Sequence, residues 1–388
     1  MKIFNRFNAN QQILANKGAI PLPNRLTFEP TLACNLTCTM CDRYEKPDKY
    51  NLKYLSFENI KDMIERLPRS IRQVYIVGGE PMIRNDIIDI CREFLKKGIR
   101  VHVHTNGTFV DATLKLSSFK DVTMHFSIDG PSDMHNQIRG QSYVFERNAK
   151  IFNEFKMQKK YFSINSVITE ENIDVLKELI RILEEEGIKP NFLNVELARR
   201  YTKEIIEETA GILGIMPSDI PMYLKENAIP NYSFEKFREN VIELDKELRK
   251  YRFKYSFSPI NLLDNLKDFY FRTFRKNNEL HCTHFDELRI DSRGNIVHCH
   301  IIRKSFGNVL ERPIGEIWNS EEFCQFRVNL VKNNLAPVCE TCYRAEKVSF
   351  IKNPYIRIKE LIPQFSLLNK KNLHPYHEPN SEEETIKI

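Results

Sequence analysis

Nine cysteines occur in 388 residues, and three of them, Cys34, Cys38 and Cys41, fall together as C-x3-C-x2-C (CNLTCTMC). Three thiolates are one too few for a closed metal site. A cubane iron–sulfur cluster normally takes four cysteines, so a compact trio leaves one iron free to bind something else. An open coordination position is what makes a metal centre catalytic rather than structural. A zinc site with a distant fourth ligand, or thiols that merely share a loop, are the alternatives. Four further cysteines, Cys282, Cys299, Cys339 and Cys342, form C-x16-C followed by C-x2-C, with Gly294 five residues before Cys299. Four can close a tetrahedral set, and by spacing alone either structural zinc or a cubane cluster fits. His281, His284, His298 and His300 flank two of these cysteines and read as surroundings rather than ligands. Cys91 and Cys324 fall in helical patterns and read as small apolar packing groups.

Such side chains must be held by something, and the first half of the chain supplies a regular rhythm. Strand-like runs occur at residues 25–31 (RLTFEPT), 73–77 (QVYIV), 99–104 (IRVHVH), 122–128 (VTMHFSI), 161–168 (YFSINSVI) and 191–196 (NFLNVE). Helical patterns lie between them, near 57–67, 85–97 and 172–186, the last two closed by Gly98 and Gly187 in the helix-stop position. Strands alternating with helices predict a parallel α/β architecture, either an open doubly wound sheet or a barrel or partial barrel. In either case chemistry belongs at the C-terminal ends of the strands, and CNLTCTMC directly follows the first. GGEP (Gly78, Gly79, Glu80, Pro81) ends the second strand, and SIDG (Ser127, Asp129) ends the fourth with Arg139 beyond it. Asn165 sits in the fifth. Taken singly, Asp129 reads equally as a helix N-cap, Arg139 as a surface ion pair and Asn165 as packing.

After Glu196 the pattern changes to long helical stretches at 203–213 and 234–251, with turn signals at Pro217 and Pro230. A boundary near residue 200 follows. The expected organisation is an N-terminal extension (1–24), the α/β unit (25–200), a helical connector (201–281), a cysteine-bearing domain (282–345) and a C-terminal helix with a polar tail (346–388). The 58 basic residues are interleaved with 52 acidic ones for a net charge of +6, so no dominating field for nucleic acid emerges. Nucleic acid is therefore not the expected partner. No run of about 18 uninterrupted apolar residues occurs, and the first 25 residues carry no signal-peptide core, so no membrane partner and a cytoplasmic location are expected. In that reducing compartment cysteines speak for metal or redox chemistry rather than disulfides.

CNLTCTMC resembles the signature of the radical S-adenosylmethionine (SAM) superfamily, with one departure, Met40, at a position frequently aromatic there. The resemblance covers residues 25–196 and implies a partial (β/α)6 TIM-type barrel. It also implies a 4Fe-4S cluster on Cys34, Cys38 and Cys41 whose open iron chelates SAM, reductive cleavage to a 5'-deoxyadenosyl radical, and hydrogen abstraction from a substrate carbon. On the same resemblance Gly78, Gly79 and Glu80 form the SAM-binding loop, Ser127 and Arg139 bind the SAM carboxylate, Asp129 is a further cofactor-binding residue, and Asn165 meets the ribose. Residues 282–345 are similar to the auxiliary-cluster module called SPASM, or to its shorter relative called twitch. That resemblance implies a second 4Fe-4S cluster on Cys282, Cys299, Cys339 and Cys342, with zinc as the other occupant. An electron donor such as flavodoxin or ferredoxin is implied too. Related enzymes oxidise ribosomally made peptides or dehydrogenate alcohols of sugars or aminocyclitols, so a peptide or a small molecule is the expected substrate. An iron–sulfur electron-transfer or redox-sensing protein without SAM turnover is the reading from a different class. The general acid or base is not legible.

Overall fold

In the computed structural model the described residues are 9–41, 54–221, 225–251 and 254–348. The expected C-terminal helix and most of the tail lie outside them. Six parallel strands carry the N-terminal half: β1 (Arg25–Thr31), β2 (Gln73–Gly78), β3 (Arg100–Thr105), β4 (Val122–Ser127), β5 (Phe162–Ile168) and β6 (Phe192–Leu197), each followed by helix. They pair in sequence order, and β7 (Lys254–Ser258) adds to β6 in parallel. After β8 (Leu280–Cys282), the strands β9 (Glu287–Ile290), β10 (Asn295–Val297) and β11 (Ser305–Asn308) extend the same sheet beyond β1. The register Arg25↔Glu287 to Phe28↔Ile290 makes β9 a parallel neighbour of β1. β12 (Ala345–Lys347) pairs with β8 in a separate two-stranded ladder. The α/β expectation is borne out, with β7 and β11 at the two edges of a ten-stranded sheet.

Alternation within each strand sorts the residues between two faces. Phe28, Val74, Ile76, Val103, Phe126 and Leu193 are fully buried beneath the helices. The helices offer matching stripes: Ile87, Ile90, Cys91 and Phe94 recur at i, i+3, i+4 and i+7, as do Leu176, Leu179, Ile180 and Leu183. Cys91 is thus a packing residue, and Cys324 is likewise buried. The opposite face is polar, carrying Thr27, Tyr75, His102, His104, His125, Ser127, Asn165 and Asn194. Tyr75 stacks on His102 with ring centroids 4.5 Å apart, His102 Nδ1 lies 3.1 Å from His125 Nε2, and His125 stacks on His104. Burial holds His102 down at about 3 and His104 at about 4. His104 also feels Arg289 of β9 and Arg344, although β9 stands three strands away in the sheet order. The sheet therefore curls around this polar face.

The cysteine-bearing segment is clamped to that interior by charge. Glu29 of β1, wholly buried, accepts from Arg289 Nε at 3.1 Å and from both terminal nitrogens of Arg303 at 2.8 and 2.7 Å. Glu287 of β9 accepts from Thr27 Oγ1 at 2.6 Å and from Arg344 at 3.1 Å. The described residues belong to one compact unit. Among the described residues no helix is long and apolar enough to cross a membrane.

Candidate active site

The loop after β1 carries Cys34, Cys38 and Cys41 and is stitched to three other strand or helix ends. Glu80 N–H donates to Ala33 O at 2.8 Å and Gly79 N–H to Thr31 O at 3.1 Å, tying it to the end of β2. Gly78 has φ 137°, and at Gly79 a Cβ would lie 2.5 Å from Leu32 O and closer still to Ala33 O. Two glycines are needed because two backbones meet here without room for side chains. Asn35 donates to Thr108 Oγ1 at 2.9 Å and accepts from Asn106 Nδ2 at 3.0 Å, fixing the loop to the end of β3. Thr39 N–H donates to Ile138 O at 2.9 Å, at the end of the helix Ser132–Arg139. Leu36, Met40 and Val144 pack around the thiols, so Met40 does keep an apolar contact. Burial pushes Cys34 up to about 11, and metal coordination is what deprotonates such a thiol.

Glu80 is buried behind this loop, and its carboxylate accepts from Met82 N–H, Thr105 Oγ1 and Asn106 N–H at 3.1, 2.8 and 2.7 Å. Desolvation nonetheless raises it to about 7. Arg139, 8% exposed, is no surface ion pair: its NH2 lies 2.5 Å from Asp129 Oδ2 and its NH1 3.7 Å from Cys38 Sγ. Asp129 does not cap a helix, since its Oδ1 accepts from Val167 N–H at 2.9 Å and its N–H donates to His135 Nδ1. Ser127 and Asn165 stand side by side in register at the ends of β4 and β5. Thus Arg139 joins the cysteine loop directly and Asp129 joins it through Arg139, while Ser127 and Asn165 sit on the neighbouring interior face.

Among the described residues Arg139 Nε and Asn165 Nδ2 are buried donors without a partner. Buried donors left unsatisfied are costly, so such groups mark where an acceptor binds. A SAM molecule, with a carboxylate and a ribose, offers acceptors of the right kind, and the three adjacent thiols suit a site-differentiated cluster.

The second set comes together from distant parts of the chain. Cys282 closes β8, Cys299 follows β10, and Cys339 and Cys342 bracket a tight turn after the helix Glu321–Lys332. All four are buried, and Cys282 lies within electrostatic reach of the other three. Backbone N–H groups already point at sulfur: Ile302 to Cys299 Sγ at 3.2 Å and Arg344 to Cys342 Sγ at 3.4 Å. Such N–H···S bonds stabilise and tune cluster thiolates. His298 Nε2 lies 3.6 Å from Cys282 Sγ and is buried with His284, so both belong to the surroundings of the thiols. Burial raises Cys299 to about 11.

Sequence reading left out Glu196 and Arg199 and did not single out Tyr201 or Tyr343, all four at the junction of the two sites. Arg199 pairs with Glu196 at 3.1 Å, contacts His300, and stands 5.5 Å from the Tyr343 ring. Glu196 was visible as the last polar position on the interior face of β6. Tyr201 and Tyr343 carried no sequence signal beyond their nearness to those residues.

Comparison with known proteins agrees with this geometry. The radical SAM superfamily model matches residues 28–213, and the model of the iron–sulfur cluster-binding domain SPASM matches 282–343. The chain thus carries a radical SAM domain followed by a SPASM domain, and its cofactors are a 4Fe-4S cluster, SAM and auxiliary iron–sulfur. A curated AdoMet-dependent heme synthase of Oleidesulfovibrio alaskensis is 25% identical over 337 residues, 81% of each chain. The mycofactocin maturase MftC of Mycolicibacterium smegmatis is 29% identical over 160 residues, 40% of each chain. The crystal structure of Streptococcus suis SuiB bound to precursor peptide SuiA shares the fold, with a TM-score of 0.58 at 16% identity, covering 80% of this chain and 68% of SuiB.

Proposed function

We propose that this chain oxidatively modifies a carbon–hydrogen bond of its substrate, with Cys34, Cys38 and Cys41 holding the SAM-binding cluster and Cys282, Cys299, Cys339 and Cys342 an auxiliary 4Fe-4S cluster. When bound, the first cluster and SAM would supply a 5'-deoxyadenosyl radical to remove the hydrogen, and the auxiliary cluster would accept the electron left on the substrate as a proton or carbon dioxide is released. The orphan donors Arg139 Nε and Asn165 Nδ2 carry the reading, because SAM would bring them acceptors that an electron-transfer protein without SAM turnover would not.

The chain's own groups divide the work. Gly78 and Gly79 bring the end of β2 against the cysteine loop, Asp129 holds Arg139 beside Cys38, and Ser127 stands next to Asn165 to meet the polar end of SAM. Glu80, already accepting three hydrogen bonds, positions the ends of β2 and β3. The polar interior beneath, with neutral His102, His104 and His125, offers a substrate polar groups that carry no positive charge of their own. The domain limits proposed above, 25–200 and 282–345, place these groups in the first module and the second thiol set in the other. A flavodoxin or ferredoxin is the proposed source of the electron.

Two substrate classes have support. A ribosomally made peptide fits the relative named as a mycofactocin maturase, which matches 40% of the chain. An iron porphyrin with carboxylate side chains fits the relative named as a heme synthase, which matches 81%. Anaerobic turnover with deuterated substrate tests both: deuterium appearing in 5'-deoxyadenosine together with an oxidised product, lighter by two hydrogens or by one hydrogen and a carboxylate, identifies the substrate. SAM cleavage that neither class stimulates contradicts both assignments.

A further inference from the structure

Tyr201 is 1% exposed, and its hydroxyl is buried with no hydrogen-bond partner among the described residues. It immediately precedes Thr202, which caps the helix Lys203–Leu213. That helix packs on the turn carrying Cys339, where Val338 N–H donates to Thr209 Oγ1 at 3.2 Å. Arg272 completes the enclosure: its guanidinium lies 5.9 Å from the Tyr201 ring centroid and donates to Pro337 O at 3.3 Å and Thr341 Oγ1 at 3.4 Å. The phenol is therefore held against the Pro337–Cys342 segment, within electrostatic reach of both Cys339 and Cys342.

An unsatisfied buried hydroxyl costs about 1–3 kcal/mol. The thiols of the Cys339–Cys342 turn already have backbone partners, Ala336 for Cys339 and Arg344 for Cys342, and the Tyr201 hydroxyl is a further, side-chain donor held beside that turn. Burial keeps the phenol protonated, so it can only donate or accept as a neutral group. Sulfur atoms of a cluster are the acceptors this neighbourhood would bring.

We infer that the Tyr201 hydroxyl donates a hydrogen bond to sulfur of the auxiliary cluster on the Cys339–Cys342 side and thereby sets that cluster's reduction potential. The inference rests on the assignment of the second thiol set to an iron–sulfur cluster. A donor to sulfur stabilises the more negative, reduced state, so it raises the potential. Tyr201 acts through the cluster and is a positioning and tuning residue, not a catalytic one.

The test is a redox titration, followed by electron paramagnetic resonance, of the full chain carrying Cys34→Ala, Cys38→Ala and Cys41→Ala, so that only the auxiliary cluster reports. Tyr201→Phe keeps the ring and removes the donor. The reduced-to-oxidised ratio at fixed potential should fall about tenfold, equivalent to a shift of about 59 mV to more negative values for one electron. A loaded cluster with an unchanged potential overturns the inference and leaves Tyr201 a packing residue. If Tyr201→Phe does not hold its iron, 3-fluorotyrosine at position 201, a stronger donor of nearly the same shape, decides the matter. A positive shift supports the bond, and no shift overturns it. A second site that binds no iron in the parent chain overturns the cluster assignment as well.

Discussion

Replacing Gly79 with alanine should uncouple the first thiol set from the rest of the molecule. The added Cβ would lie 2.5 Å from Leu32 O and nearer still to Ala33 O, whereas ordinary contacts begin at 3.4 Å. Both obstacles are backbone atoms of the loop leading into Cys34, so no side chain can rotate away. Either the loop or the end of β2 must retreat by about 1 Å, an overpacking cost of about 1–3 kcal/mol. The hydrogen bond from Glu80 N–H to Ala33 O is lost with it, adding about 1 kcal/mol. Gly211→Ala is the control: nothing lies within 4 Å of its Cβ, and in the last turn of the helix Lys203–Leu213 alanine should be neutral or stabilise by up to about 0.5 kcal/mol. After anaerobic reconstitution, Gly79→Ala should lose iron from the first site and SAM cleavage while the second site keeps its iron. Full iron and full SAM cleavage in Gly79→Ala would refute the argument that two close backbones fix the cysteine loop.

Other perturbations give distinct signatures. Asp129→Asn leaves the buried Arg139 guanidinium without its anion, so the chain should lose about 3–5 kcal/mol in denaturant titrations and bind SAM more weakly by calorimetry. Glu29→Gln strips the shared anion from Arg289 and Arg303, with a loss of similar size, about 3–5 kcal/mol, and hydrogen exchange should rise first in β9. His102 and His104 have folded values depressed to about 3 and 4, so the unfolded chain binds more protons between there and about 6.5. Their stability contribution is complete above about pH 6.5 and is lost as pH falls towards 4. His102→Gln should flatten that acid limb in pH-dependent unfolding, and an unchanged limb would contradict the assignment. Asn165→Ala should raise the Kd for SAM without changing the iron content of either site.

The first six strands were legible because each alternates between a helix-facing apolar residue and an interior polar one. Predicted and observed limits differ by a residue or so: 73–77 against Gln73–Gly78, and 191–196 against Phe192–Leu197. Helix ends were less sharp at their starts. Residues 172–175 precede the helix proper because Asn172 is engaged in turning, its Oδ1 accepting from Thr169 N–H and its Nδ2 donating to Asp129 O. Gly98 and Gly187 do end their helices with positive φ, as glycine allows. What the sequence hid was non-local. Nothing in LRI marks β9 as a partner of β1 260 residues earlier, or Arg289 and Arg303 as partners of Glu29. The stacked tier of Tyr75, His102, His104 and His125 was visible only as polar positions at odd steps along β2 to β4. Cysteine spacing revealed both thiol sets, because ligand chemistry constrains sequence locally. The orphaned donors and Tyr201 required the packed structure.

The central claim is two iron–sulfur centres, one of them turning over SAM. The most direct measurement is an anaerobic count of iron and sulfide per chain, with an assay for 5'-deoxyadenosine, on the parent and on the Cys34→Ala, Cys38→Ala, Cys41→Ala variant. Two cubanes predict about eight irons in the parent and about four in the variant, with SAM cleavage lost. About four irons falling to none, with zinc retained, would contradict the auxiliary cluster, and a parent without iron would contradict the whole account.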